Sequence, residues 1–208
     1  MTSWSDPGKA REYVERIATV PQRLAGEAAL AEFLPAAPRR ALDLGCGDGR
    51  LIRLVLDGRP DVEEIVGVDN SPPMLDRARA NFAGDRRVTL LPGDLREPLA
   101  AFGRFDVVTS GFAIHHLPDT RKQTLFGEVV GLLEPDGIFA NLEVVESATP
   151  ELQAAFEAAI GRPGGDPEDQ LAPVEDQLAW MRAAGLQQVD CMWKWRGFAL
   201  MVGQARPE

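Results

Sequence analysis

Two cysteines, two histidines and one tyrosine in 208 residues leave little material for several kinds of chemistry. Cys46 and Cys191 are too few for a disulfide framework or a thiolate metal site, which fits a reducing compartment. No apolar run approaches the roughly 20 residues that cross a bilayer. The stretch from Met1 to Lys9 has no basic, apolar leader, so secretion finds no support and a cytoplasmic location is expected, with no membrane partner. Lys and Arg number 22 against 32 Asp and Glu, and the net charge of −10 opposes binding to nucleic acid. G-x-S-x-G, H-E-x-x-H and a lysine-bearing phosphate loop are all missing, and no cluster of ligand types along the chain points to a metal. What remains is one ordinary domain, 45% hydrophobic, whose default partner is a small molecule.

The feature that is present is local. Ala41-Leu42-Asp43-Leu44 is an apolar run carrying one carboxylate, and it breaks into Gly45-Cys46-Gly47-Asp48-Gly49-Arg50 before an amphipathic segment begins. That reads as a strand, a ligand-cradling turn and a helix start, because glycine permits positive φ and lets a ligand approach bare backbone. The spacing is G-x-G-x-G with Arg50 where a dinucleotide fingerprint needs its last glycine. Asp43 also sets a negative charge where a pyrophosphate would lie, whereas a cationic ligand would be attracted. A carboxylate followed by three alternating glycines resembles the first motif of the class I (Rossmann-like) methyltransferases, whose cofactor S-adenosylmethionine carries an ammonium and a sulfonium.

The remaining order of elements is similar to that family from about residue 38 to 203. Tyr13, Val14, Ile17 and Val20 recur at helical spacing, and a second helix follows Pro21. Beyond the glycine turn come a helix to Gly58 and the strand Glu64–Asp69; Asp69 stands about twenty residues past the glycines, where an acid accepts from ribose hydroxyls. Ser71-Pro72-Pro73 opens a helix containing Met74. Val88–Leu91 is a third strand leading to Gly93-Asp94-Leu95, and Phe105–Ser110 a fourth leading to the loop with His115 and His116. Asp119 is placed to cap the next helix, Glu134–Gly137 to end it, and Ile138–Leu142 is a fifth strand. Val189, Cys191, Trp193 and Trp195 alternate with Asp190, Met192, Lys194 and Arg196, which predicts one half of a closing hairpin with all three former aromatic or sulfur neighbours on Val189's face.

The resemblance implies a three-layer α/β sandwich with a seven-stranded, mostly parallel sheet in the order 3-2-1-4-5-7-6. Within one domain spanning 1–208 it implies a helical N-terminal cap (1–37), a cofactor-binding core (38–145), a substrate-side insertion (146–186) and a closing hairpin (187–204). It implies cofactor contacts from Asp43, Gly45, Cys46, Gly47, Asp69, Asn70, Met74, Asp94, Leu95 and Ser110. His115 and His116 are candidates for a catalytic base or a substrate hydrogen bond, since an alcohol or phenol acceptor needs a base and imidazole titrates near neutral pH. Arg162, Lys194 and Arg196 are candidate partners of an anionic acceptor, with His116, Tyr13 and Arg16 opposite, Tyr13 and Arg16 being equally well read as core and surface. O-methylation of a small, anionic acceptor is the favoured expectation. An NAD-dependent oxidoreductase, which would need a better fingerprint, and an inactive cofactor-binding module stand beside it.

Overall fold

The computed structural model describes Gly8, residues 20–99 and residues 102–207. Tyr13, Arg16 and the helix expected around them lie outside the described residues. The first described helix, α1 (Pro21–Glu32), precedes a βα alternation: β1 (Arg40–Leu44), α2 (Arg50–Gly58), β2 (Glu64–Asp69), α3 (Pro72–Asn81), β3 (Val88–Pro92) and β4 (Phe105–Gly111). A 3₁₀ turn at Ile114–His116 leads to α4 (Asp119–Leu132), β5 (Leu133–Val144), α5 (Pro150–Ala159), α6 (Val174–Ala184), β6 (Gln187–Trp195) and β7 (Phe198–Gln204).

The strands form one seven-stranded sheet in the expected order β3-β2-β1-β4-β5-β7-β6. β1 through β5 run parallel, and β7 is antiparallel to both β5 and β6. Parallel strands covered on both faces read as continuous apolar runs, and β1, β2 and β4 do so. One face packs Leu30, Ile52, Val55 and Leu75 from α1, α2 and α3, and the other packs Phe126, Val129, Leu178 and Met181 from α4 and α6. The three layers place the ends of β1, β2 and β4 and their loops along one edge, beside the point where the strand order reverses from β1 to β4.

Local signals explain most boundaries. Pro72 and Pro73 preset the first turn of α3, and Ser71 Oγ accepts from Met74 N at 3.4 Å. Gly185, at φ 112°, ends α6. Three readings need correction. Asp119 does not cap α4: Pro118 holds that position and Asp119 is the first residue, its carboxylate pairing with the buried Lys122 at 2.7 Å. Glu134–Gly137 does not separate helix from strand but forms an irregularity inside β5, pairing jumping from Phe105↔Leu133 to Val107↔Ile138 around Asp136 at φ 61°. In β6 the register slips between Cys191 and Trp193, so Val189 and Cys191 pack with the α4–α6 face while Trp193 and Trp195 pack with the opposite one. One extra residue in a strand turns every following side chain over, which the regular alternation concealed.

Candidate active site

The glycine turn is built to be empty of side chains. Gly45 has φ +70°, and a Cβ there would stand 2.2 Å from that of Ala113. Gly47 also has positive φ (+55°), yet no atom lies within 4 Å of where its Cβ would be: that space is the mouth of a cavity. The turn is tied down by Gly45 N and Cys46 N, which both donate to Val68 O. α1 closes over it through Glu27, whose Oε1 takes Arg50 Nε at 2.5 Å and Arg23 Nε at 3.2 Å.

Three carboxylates reach the same cavity from the ends of β1, β2 and β3. Asp43 is buried, and its Oδ1 accepts from Thr109 Oγ1 at 2.9 Å. Burial pushes its pKa up to about 7 against that hydrogen bond, so it gains from a nearby cation. Asp69 is held from both sides, Oδ2 accepting from Gly47 N and Oδ1 from Ser71 N, each at 2.8 Å. Burial raises it too, opposed by those main-chain donors, and each oxygen so fixed has a lone pair left for a hydroxyl donor of a ligand. Asp94 is steadied by Arg96 N at 3.0 Å. Burial pushes the Cys46 thiol well up, so it is no nucleophile and contributes backbone and bulk.

Beyond Gly111 the wall changes character. Phe112 has φ 57°, a strained value for a bulky residue, and its ring lies 4.2 Å beneath the Arg23 guanidinium and packs edge-on to Phe198. His115 Nδ1 lies 2.5 Å from Glu143 Oε2, and Glu143 Oε1 accepts from Ile114 N (2.7 Å) and Ala113 N (3.1 Å). Asp169 Oδ1 stands 3.5 Å from His115 Nε2 and 3.3 Å from His116 Nδ1. Burial disfavours charge on His115, but Glu143 and Asp169 outweigh it and raise its pKa to about 9. His116 is pushed down by burial and by the charge of His115, so it is neutral near pH 7.

Of the residues expected around the cofactor, Asp43, Gly45, Cys46, Gly47, Asp69, Asn70, Met74, Asp94 and Leu95 line this one cavity. Ser110 does not: it is fully buried beneath it, its Oγ donating to Leu44 O at 2.9 Å. His116 lines the cavity and His115 stands behind it. Arg162, Lys194 and Arg196 are not among its described lining residues. Arg162 pairs with Asp166 at 2.5 Å, Lys194 Nζ donates to Arg196 O, and Arg196 lies in the β6–β7 turn with Nη1 directed to Ala155 O. Sequence reasoning missed Phe112, Glu143, Glu168 and Asp169. Glu143 had a signal, since it sits near the end of an apolar strand just as Asp43 and Asp69 do; Asp169, in the run Asp166-Pro167-Glu168-Asp169, had none.

Comparison with known proteins agrees with this geometry. Residues 41–137 match the family model described as a methyltransferase domain. An uncharacterized methyltransferase of Mycobacterium tuberculosis is 35% identical over 127 residues, 61% of this chain and 60% of that protein. The trans-aconitate 2-methyltransferase of Methylobacterium radiotolerans is 38% identical over 109 residues, 50% of this chain and 37% of the relative. The chain therefore spans less than two thirds of the length of these curated relatives, 60% and 37%. A solved O-methyltransferase family protein from Burkholderia thailandensis superposes with a TM-score of 0.75 at 23% identity, over 92% of this chain and 58% of its own. The matched domain, the glycine turn with its acids and the 3-2-1-4-5-7-6 sheet converge: the chain has the fold of the class I methyltransferases, and its residues 41–137 match a methyltransferase domain.

Proposed function

We propose that this protein methylates an oxygen of a small, anionic acceptor with S-adenosylmethionine. The observation that carries the reading is the convergence of Asp43, Gly45, Gly47, Asp69, Asp94 and His116 on one cavity at the carboxyl edge of the sheet. The residues fit the cofactor: the space above Gly47 accepts a ligand against bare backbone, Asp43 matches its ammonium end, and Asp69 and Asp94 offer acceptors to the ribose and the adenine amino group. When bound, S-adenosylmethionine would supply an electrophilic methyl group on a sulfonium, and the neutral thioether left behind needs no acid to depart. The protein's task is to hold the acceptor oxygen in line and keep competing water out.

At the acceptor end, Phe112 and Leu117 supply apolar wall, and Arg23, 9% exposed, supplies positive charge already shared with Glu27. His116, neutral because burial and His115 depress its pKa, holds the acceptor oxygen, and His115 is a positioning residue locked by Glu143. The cation facing an anionic acceptor is therefore Arg23 in place of Lys194 and Arg196. A relative named for trans-aconitate, a carboxylate, agrees with that charge. Incubating the purified chain with methyl-labelled S-adenosylmethionine and panels of small carboxylates, phenols and amines, read by mass spectrometry, tests the reading. Label transfer to carboxylates or phenols supports it, and transfer only to amines contradicts the oxygen assignment.

A further inference from the structure

We infer that His115, His116 and Asp169 form a binding site for one divalent first-row transition-metal ion in the wall of the cavity. Their ligand atoms, one from each side chain, lie within 4.8 Å of one another. Asp169 Oδ1 is 3.5 Å from His115 Nε2 and 3.3 Å from His116 Nδ1. Two donors bound to one ion at about 2.1 Å with a tetrahedral angle stand about 3.4 Å apart, the separation Asp169 Oδ1 has from each imidazole, and binding would hold the two imidazole nitrogens at no more than about 4.2 Å from each other. An N–H···O hydrogen bond would instead draw such atoms to about 2.7–3.2 Å. Asp169 Oδ1 fits the first case: it is buried and makes no well-directed hydrogen bond although two imidazole nitrogens are beside it.

The surrounding shell has the form a metal site requires. A ligating imidazole is normally fixed through its other nitrogen by a carboxylate, and Glu143 Oε2 holds His115 Nδ1 at 2.5 Å while Ile114 N and Ala113 N hold Glu143. The third ligand is equally constrained. Gln170 N donates to His115 O at 2.8 Å, Gln170 Nε2 to His116 O at 3.3 Å, and the buried Lys122 donates to Gln170 O, so the segment bearing Asp169 is stitched to the turn bearing both histidines. Two imidazoles and one carboxylate suit Fe²⁺, Co²⁺, Ni²⁺ or Zn²⁺ better than Mg²⁺ or Ca²⁺, which take oxygen sets. Three protein ligands leave coordination positions open, and His116 with Glu168 lines the cavity. An acceptor oxygen or water fills those positions; that clause alone rests on the proposed function, and the ion site does not. The competing account of the same residues is a metal-free clasp that holds residues 161–173 down by ion pairing.

Cobalt separates the two. Co²⁺ is titrated into the chelator-treated full chain, free of any histidine tag, with visible absorption and calorimetry followed together and S-adenosylhomocysteine binding measured in parallel. The site predicts saturable one-to-one binding with d–d bands. Asp169→Asn and His116→Gln weaken it at least tenfold, and Glu143→Gln weakens it by about 10- to 100-fold. Absence of both bands and saturable heat in the wild-type chain overturns the site, as does equal binding by wild type and both ligand variants. If a variant fails to fold, the wild-type titration decides alone. Cobalt binding without S-adenosylhomocysteine binding would sink the cofactor reading and leave the ion site standing; the reverse would do the opposite.

Discussion

Asp43 and Thr109 face each other in register on the parallel strands β1 and β4, and Thr109 Oγ1 donates to Asp43 Oδ1 at 2.9 Å in a fully buried setting. The hydroxyl orients the carboxylate without neutralising it, and burial lifts its pKa to about 7. A folded-state pKa above the unfolded value of 3.8 means that the folded protein binds this proton more tightly. The site therefore loses stability as pH rises from about 4 through 7, and a cationic ligand restores it. Cofactor affinity is predicted to rise with pH up to about 7 and then level off. Asp43→Asn keeps an acceptor for Thr109 and should stabilise the ligand-free protein at pH 8 by about 1–3 kcal/mol while weakening cofactor binding. Urea unfolding at pH 5 and pH 8 checks it; a variant no more stable than wild type at pH 8 contradicts the assignment.

Asp69 gives a second, simpler expectation. Its carboxylate accepts from Gly47 N and Ser71 N, so its removal takes charged hydrogen bonds from the ligand and also unties the glycine turn. Asp69→Ala should weaken S-adenosylhomocysteine binding by about 1.5–3 kcal/mol. An unchanged dissociation constant would remove Asp69 from the site.

The two glycines of the cradle should separate stability from binding. An alanine at Gly45 meets both positive φ and a 2.2 Å approach to Ala113, which predicts a loss of about 2–4 kcal/mol in unfolding free energy. At Gly47 the space is open, so Gly47→Ala should cost only about 1–2 kcal/mol of stability. Its methyl group would stand where the ligand lies and should reduce cofactor affinity more than tenfold. Thermal unfolding paired with calorimetry measures both, and the account fails if the two variants behave alike.

The cations on the closing hairpin provide the fourth. Lys194 and Arg196 bond to main-chain oxygens outside the cavity, whereas Arg23 lines it. Once an acceptor is found, Lys194→Met and Arg196→Met should leave its KM within about twofold, and Arg23→Met should raise it severalfold by removing a charged contact. Raised KM values in both hairpin variants would move the acceptor to the other side of β6.

What could be read in the sequence was local. The glycine turn, Asp69 and Asp94 declare themselves because each sits at the end of an apolar strand, and a parallel sheet carries all such ends to one edge. Side chains whose role depends on long-range packing did not declare themselves. Trp193 and Trp195 changed faces because one residue near Met192 interrupts the ladder, and alternation alone has no mark for such a bulge. Asp169 looked like its acidic neighbours until the fold brought it to His115 and His116 across more than fifty positions of chain. Lys194 and Arg196 looked like an anion site because they stood out in an acidic chain, but an isolated cation finds main-chain oxygens as readily as a substrate.

Calorimetry of the purified chain with S-adenosylmethionine, S-adenosylhomocysteine and NAD tests the central claim most directly. Asp43 at the cradle and the G-x-G-x-G spacing predict saturable one-to-one binding of both sulfur nucleosides and no heat with NAD. Equal or tighter binding of NAD, or no heat from either sulfur nucleoside, would contradict it.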